Sequence, residues 1–486
     1  MRPATLPWAS AGADATTQAA AATPAIIPIR FAEFAVISDP PVHMHKPLRK
    51  LSICHHGARR ASGLAHLVRI AAAIVTIVTG VSTAGAQDTS RVSSSRDSLA
   101  ARLERAEEAI ALLKQQMGEQ SGVQSRSRLA VEIDGRVLMN AFSNTRRVNN
   151  VDVPTFVRPD TTSTLPLGGG GMAIRQTTLG VSVSAPDVLD AVFNGALDVD
   201  FFGGQQPSSG GRTFPLVRMR IARGVLRWKN AELLLGQEGP LMSPLNPVSL
   251  AAVGIPGMTS AGNLWLWLPQ ARLTLMTSGS VRLGLGGAIL APTSGDANGL
   301  FDTDNDVAER SKRPFVEGRA HIAWGQDEMA GAIGVSTHAG WYARPSSTNQ
   351  REGFAVGADA KIPLAKWLEV RGEWYDGDGM RALGGGAIGQ LFGVSGEPVH
   401  SAGMWGQVNL MPTTRVTLGG GYGFDDPDDA DLAASGRRKN QATELHLNLR
   451  PGGPLVLGFE YRQMKTTYSA GPLTNDHLNI AIGFVF

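Results

Sequence analysis

The last ten residues, from His477 to Phe486, constrain the fold more than any other stretch. Leu478, Ile480, Ile482, Phe484 and Phe486 fall on one parity, and His477, Asn479, Ala481 and Gly483 on the other. That is the period-two signature of a strand with one apolar face. The chain stops on the apolar face, with a carboxylate attached to a phenylalanine. In a soluble sheet the ring and the carboxylate want different surroundings. A closed transmembrane barrel accommodates both, because its outward face meets lipid and an aromatic girdle sits at each interface.

Composition agrees with one large all-β unit rather than several average domains in 486 residues. Glycine is abundant at 58 residues, charged residues make up only 18%, and the mean hydropathy is -0.05. A membrane barrel hides its hydrophobicity by alternation, so an average near zero is what it should show. The net charge of +3 gives no argument for nucleic acid. Cys54 is the sole cysteine, so no internal disulfide can form. Nor does Leu51-Ser-Ile-Cys54 make a lipidation box, because Ile53 is too large and the apolar region follows the cysteine. The terminus itself resembles the aromatic signal on the final strand of bacterial outer-membrane barrels, which implies that Phe484 and Phe486 are read by the barrel-insertion machinery.

Upstream, Arg49, Lys50, Arg59, Arg60 and Arg69 precede an apolar core from Ile70 to Val81, followed by Ala84-Gly85-Ala86. This is the order of a secretory signal peptide cleaved after Ala86. Residues 44–86 are read as that signal, with Met44 as the start. Residues 1–43, rich in Ala and Pro, are then a start-site artefact or an unusually long n-region of the signal. Next, Leu99, Leu103, Ala106, Ile110, Leu113 and Met117 form a heptad seam. Alone, a helix this short is marginal in water. Residues 87–127 are therefore expected to be a periplasmic coiled-coil stalk and linker that oligomerises.

From residue 128 to 486 the chain reads as a 16-stranded antiparallel transmembrane β-barrel. Candidate strands lie near 128–140, 172–185, 190–202, 216–228, 231–238, 264–277, 280–291, 314–325, 328–339, 352–363, 366–376, 402–411, 413–424, 440–450, 454–466 and 476–486. The count is even, as bacterial single-chain barrels require. Short connections carry turn residues, such as Lys229-Asn230, Ser278-Gly279 and Pro412-Thr413, and would face the periplasm. Long ones rich in Gly, Pro, Asp and Ser, including 467–475, would face outward.

Parity assigns the two faces. Leu445, Leu447 and Leu449 alternate with Glu444, His446 and Asn448, and Leu368, Val370 and Trp374 alternate with Glu369, Arg371 and Glu373. A lumen as wide as sixteen strands enclose is too large for side chains to fill, so the charged face should be the inner, wet one. Arg218, Arg220, Arg272, Arg282, Arg319 and Arg371, with Glu369 and Glu373, are the candidate pore-lining and selectivity residues. Arg218, Arg220, Arg223 and Arg227 crowd one strand. A ladder for small anionic solutes is the functional reading, and an ion-pair network across the wall is the structural one. The third long loop, near 239–263, is mostly apolar and suits packing against the barrel wall or a neighbouring subunit.

Arg175-Gln-Thr-Thr-Leu-Gly180, Gly195-Ala-Leu-Asp-Val-Asp-Phe-Phe-Gly203, Arg218 to Trp228 and Leu233-Leu-Leu-Gly-Gln237, behind a signal peptide and a coiled coil, resemble the DcaP-like trimeric porins and, more loosely, porin O/P. The resemblance implies a homotrimer taking up small, often negatively charged molecules through an arginine-bearing constriction, a role carried onto Arg218 and Arg220. Outer-membrane lipid and lipopolysaccharide would surround it.

No cofactor is called for. Asp302-Thr-Asp-Asn-Asp306 begins like a calcium loop, but Val307 and Arg313 stand where Gly and Glu are needed, so no metal is assigned. An enzyme would need a nucleophile and base near one rim, and His321, His338, His446 and His477 are scattered without a nucleophile elbow. The chain is read as a non-enzymatic channel, with a plugged structural anchor or barrel enzyme as the alternative.

Overall fold

The structure is a computed structural model that describes residues 129–160, 168–203, 215–295, 305–344 and 349–486. The signal segment, and the heptad seam of Leu99, Leu103, Ala106, Ile110, Leu113 and Met117, lie outside the described residues. The strands in order are β1 (Ala130–Asn144), β2 (Gly169–Ala173), β3 (Thr178–Val188), β4 (Ala191–Asp200), β5 (Arg218–Arg227), β6 (Ala231–Glu238), β7 (Leu268–Met276), β8 (Val281–Leu290), β9 (Phe315–Trp324), β10 (Gly331–Ala343), β11 (Gln350–Ala365), β12 (Leu368–Asp378), β13 (His400–Thr413), β14 (Val416–Pro427), β15 (Lys439–Gly452), β16 (Leu455–Tyr468) and β17 (Gly471–Val485).

From β3 onward each strand pairs antiparallel with the next, β1 pairs with both β2 and β3, and β17 closes onto β1 from Arg136↔Val485 to Asn144↔His477. β2 and β3 lie end to end against β1, so they are two halves of one strand. The result is a closed, sixteen-strand antiparallel barrel. Closure leaves no edge, which is what a sheet in lipid requires.

The alternation read in the sequence resolves into two faces. Val137, Met139, Leu285, Ile322, Phe354, Leu445, Phe459 and Ile482 are exposed on the outside. Asn140, Glu317, Asp359, Glu444, His446, Arg462 and Asn479 are buried on the inside. Phe484 and Phe486 stand outward at the short-turn end, and Phe486 trades both backbone hydrogen bonds with Gly135 at 3.0 and 3.1 Å.

Two of the expected boundaries are corrected. The strand expected at 172–185 is interrupted at 174–177. The long connection expected at 467–475 is instead a tight turn at Ser469-Ala470, because β17 begins at Gly471. In that stretch Thr474 and Asp476 face outward while Asn475 and His477 face inward. With polar residues on both faces the strand carries no hydrophobic period to read.

Backbone approach at the closing seam is tight. A Cβ on Gly483 would lie 2.0 Å from the Val137 carbonyl oxygen. Gly483→Ala is therefore expected to weaken the β1–β17 seam, lowering the temperature at which the folded band converts to the unfolded one on a heat-modifiability gel.

Candidate functional site

The lumen is organised by the connection between β6 and β7, residues 239–267, which enters the barrel and follows its inner wall. The wall holds it by polar side chains that accept its backbone donors. Met242 N donates to Glu317 at 3.0 Å. Leu245 N and Ser243 Oγ donate to Glu373 at 2.7 and 2.5 Å, and Trp405 Nε1 donates to the same carboxylate at 3.1 Å. Val248 exchanges two hydrogen bonds with the Gln407 amide, and Ser249 donates to Glu460. Gln176 then takes Val253 N at 2.5 Å and gives to Ala251 O at 2.6 Å. The segment thus touches β9, β12, β13, β16 and the interruption between β2 and β3 in turn. Its apolar residues bury as expected: Leu241 and Met242 pack with Leu264, Leu290 and Tyr342, Val253 with Leu138 and Val456, and Met258 with Trp405 and Met464.

The first long connection also bends inward. Asp152 pairs with Arg175 at 2.8 Å, Thr155 O accepts from Asn440, and Val157 N donates to Thr466.

Two β-bulges re-aim the wall at this level. Asn140↔Ala173 and Arg136↔Thr178 enclose one more residue on the second strand than on β1. Arg175 and Gln176 are consequently both buried on the inside, and Thr177 Oγ1 takes up the unpaired Leu138 N at 3.1 Å. The second bulge sets Asp198↔Ile221 beside Val199↔Met219, leaving Arg220 without a partner across the ladder. Gln237 Nε2 caps the freed Met219 and Arg220 carbonyls at 2.9 and 3.1 Å.

The second bulge answers a question the sequence left open. By simple alternation Arg218 and Arg220 would face opposite to Arg223 and Arg227. With the bulge between them, Arg223 pairs with inward Ala196 and Arg227 with inward Val192, so all four arginines serve the lumen. Arg223 and Arg227 were missed by parity, and only their crowding on one strand signalled them.

The expected site residues form three groups. Arg218 grips buried Asp200 with two hydrogen bonds at 3.1 and 2.6 Å, reaches the Gly254 carbonyl of the inserted segment, and lies 5.1 Å from the Trp267 ring centre. Arg220 stacks on the same ring at 4.9 Å and sits 3.6 Å from Asp198. Across the lumen, Arg319 pairs with Asp359 at 2.6 Å and Arg272 donates to Gly239 O at 2.6 Å. Arg371 pairs with Glu369 at 2.5 Å and Arg371 also reaches Asn246 O, while Glu373 is covered by the inserted segment. Arg282, on the inner face of β8 near its short-turn end, has no ion pair among the described residues.

Removing Arg218 would take both short hydrogen bonds from the wholly buried Asp200 and leave its charge to the Phe202 N–H and to Arg220 at 3.7 Å. Breaking a buried pair this way costs on the order of 3–5 kcal/mol. Arg218→Ala is expected to lower the urea midpoint of the folded barrel strongly, whereas Arg282→Ala leaves it unchanged.

On the short-turn side of the inserted segment lies a partly open cavity of about 330 Å³ lined on one side by Val248, Ser249 and Leu250. Its wall carries Arg136, Arg415 and Arg450 against Asp134 and Asp198. None of these three arginines makes a side-chain hydrogen bond or ion pair among the described residues. Above the segment, a wider cavity of about 830 Å³ opens at the outer mouth past Arg381 and Arg437. Burial lowers the pKa of both guanidiniums, and Arg437 lowers that of Arg381 further. Near this mouth Asp425 accepts from Ser401 Oγ and Ile388 N, Asp426 pairs with Lys439, and Asp429 with Arg438.

A closed barrel with an apolar outside, a charged inside and a long connection folded into its lumen is the fold of an outer-membrane channel. No family model and no curated protein sequence matches the chain. Among solved structures it is similar to the outer-membrane channel DcaP of Acinetobacter baumannii, with a TM-score of 0.58 and 20% identity over 74% of this chain and 99% of that one. It is also similar to an anion-selective porin from Comamonas acidovorans, with a TM-score of 0.47 and 12% identity over 74% of this chain and 100% of that one. The resemblance to the DcaP-like porins read in the sequence is thus met in the fold.

Proposed function

We propose that the chain is a homotrimeric outer-membrane porin for passive diffusion of small hydrophilic anions. The observation that carries this reading is the cavity at the short-turn end, which would face the periplasm: Arg136, Arg415 and Arg450 converge there with no side-chain hydrogen bond or ion pair among the described residues, beside Asp134, Asp198 and Phe486. Uncompensated charge in a confined, low-dielectric passage raises the local concentration of counter-ions. Arg218 and Arg220 continue the basic lining upward along β5, and Arg223 and Arg227 extend it toward the short-turn end of the same strand. Their ion pairs moderate the charge they present, and the stacked Trp267 gives the narrowing a rigid edge.

In this reading Arg272, Arg319 and Arg371, with Glu369 and Glu373, hold the constricting segment in place more than they meet solute. Phe484 and Phe486 carry the insertion signal, residues 44–86 direct export, and the heptad seam forms a stalk in the periplasm. Lipopolysaccharide surrounds the outer half.

The test is current through purified protein in a planar bilayer under a salt gradient. The expected result is stepwise conductance with a reversal potential of the sign that anion preference gives. Cation preference would sink the solute class and keep the channel. Silence from correctly folded protein would favour a plugged anchor, the second reading, which the course of residues 239–267 along so much of the wall supports.

A further inference from the structure

Two outward tryptophans bracket the wall built by β8, β9 and β10. Trp324 ends β9 at the short-turn end opposite Gly331, and Trp341 lies ten residues up β10 from there. Ten residues of a strand tilted about 40° rise about 26 Å, close to the height of the apolar band, about 25 Å. Trp341 therefore stands at the second interface, at the end of the long connections, which would face outward.

The connection entering β9 carries Arg310, Lys312 and Arg313 at that height, all of them exposed. None has an ion pair among the described residues. Arg313 lies 5.6 Å from the Trp341 ring centre. Against the three cations stand two acids: Glu309, which accepts from Asn305 Nδ2 and Asp306 N at 3.3 and 3.0 Å, and Glu352, which faces Trp341 from β11. The balance stays basic. Elsewhere at this end Arg351, Arg438 and Lys439 are each matched by an acid, Glu397, Asp429 and Asp426. The basic turn is also fixed in place, because Arg313 N donates to Ser311 Oγ at 3.1 Å and Gln350 Nε2 on β11 donates to Ser311 O at 2.9 Å. Lys312 has a left-handed backbone, φ 58° and ψ 25°, which glycine would adopt at lower cost. A long cationic side chain is thus kept where the backbone disfavours one.

Beneath these cations the outer wall is recessed. The cavity, of about 440 Å³, is floored by Ala271, Ile289 and Ala291 between Pro269, Pro292 and Pro314, with Lys312 and Arg313 at its edge. One row below Ile289, Gly287 and Gly318 pair side by side on the outward face. Neither has a positive φ. A Cβ on Gly287 would meet no atom within 4 Å, and one on Gly318 only Thr337 Oγ1 at 3.4 Å. Packing within the barrel therefore requires glycine at neither position. Glycine weakens a strand and often marks a place where a ligand comes close to the backbone.

We infer that this recess binds a phosphorylated glycolipid of the outer leaflet, its phosphates on Lys312 and Arg313 and an acyl chain laid down the wall over Gly287 and Gly318. Charge selects the occupant: guanidinium and ammonium groups at headgroup height hold phosphate, and the apolar floor takes hydrocarbon. Three cations within four residues suit a headgroup with more than one phosphate, which sets the glycolipid apart from a phospholipid with one. The inference rests on the outer-membrane reading above and assigns that lipid a place on the wall.

The experiment uses the full chain, purified from outer membranes and exchanged into mild detergent, then titrated with a diphosphorylated deep-rough lipopolysaccharide while native mass spectrometry reads the bound fraction. Lys312→Ser with Arg313→Ser is expected to bind it several-fold more weakly than wild type. Gly287→Leu with Gly318→Leu, which fills the path of the acyl chain, should weaken it likewise, and wild type should bind the dephosphorylated glycolipid several-fold less. If the leucine pair does not fold, the serine pair decides, since the side chains it removes are exposed and unpaired. Equal binding by wild type and the serine pair overturns the inference. So does equal affinity for phosphatidylglycerol, or displacement by millimolar inorganic phosphate, which would leave an anion site without a lipid. Current through the same preparations in a planar bilayer separates the two readings. Current without glycolipid binding refutes the site alone, and binding without current refutes the porin and leaves the site standing.

Discussion

Glu373→Ala is expected to release the inserted segment from the wall and to turn a steady channel into a noisy, more conductive one. The carboxylate accepts from Ser243, Leu245 and Trp405 at once. Its removal leaves three donors unsatisfied in a buried setting, at about 1–3 kcal/mol each. It costs less for the segment to leave the wall and let water in than to stay and carry that loss. Hydrogen exchange should rise selectively over residues 242–248, and single-channel traces should show larger, fluctuating currents. Glu373→Gln keeps one acceptor oxygen and nearly the same shape, so its effect should be markedly smaller. Identical traces for wild type and Glu373→Ala would mean that the segment does not limit the passage.

Replacing Arg136, Arg415 and Arg450 together by Gln is expected to reverse the ion preference. Those three arginines face Asp134 and Asp198 in the short-turn cavity. Without them Asp198 keeps Arg220 at 3.6 Å while Asp134 and the Phe486 carboxylate lose their basic neighbours in the cavity, and the local charge turns negative. The reversal potential under a salt gradient should accordingly change sign as well. The effect should shrink toward 1 M salt, where the screening length falls to about 3 Å. Stability should change little, because the three side chains are not joined to protein partners. A reversal potential unmoved by the triple substitution would place the selective step elsewhere, with Arg218 and Arg220 the next candidates.

How much of this was legible in the sequence follows from what alternation can and cannot encode. Strands whose outer face is apolar and inner face polar were read well, as at β15 and β12, and β6 was found at the residues expected. The upper part of β17 was not, because Thr474, Asn475, Asp476 and His477 are polar on both faces. The inserted connection was legible as a segment that would not dangle in water, since its leucines, valines and methionines need cover. Its partners were not, because Glu317, Gln407 and Glu460 come from strands far apart in the chain. The inward direction of Arg223 and Arg227 was hidden for another reason: parity counting assumes an unbroken ladder, and a bulge leaves no mark in composition.

The bulge at Arg220 has a consequence for how such a wall can change over generations. A substitution on a regular strand trades one lining group for another, and shifting the register by one residue turns every later side chain to the wrong solvent. A bulge escapes both restrictions. Because Gln237 absorbs the two loosened carbonyls, Arg220 is an extra residue set into the lining while Met219 still meets lipid and Ile221 still faces in. Gain or loss of a single codon at such a point would add or remove one lining charge and leave the rest of the strand in register, a smaller step than a frame of compensating exchanges.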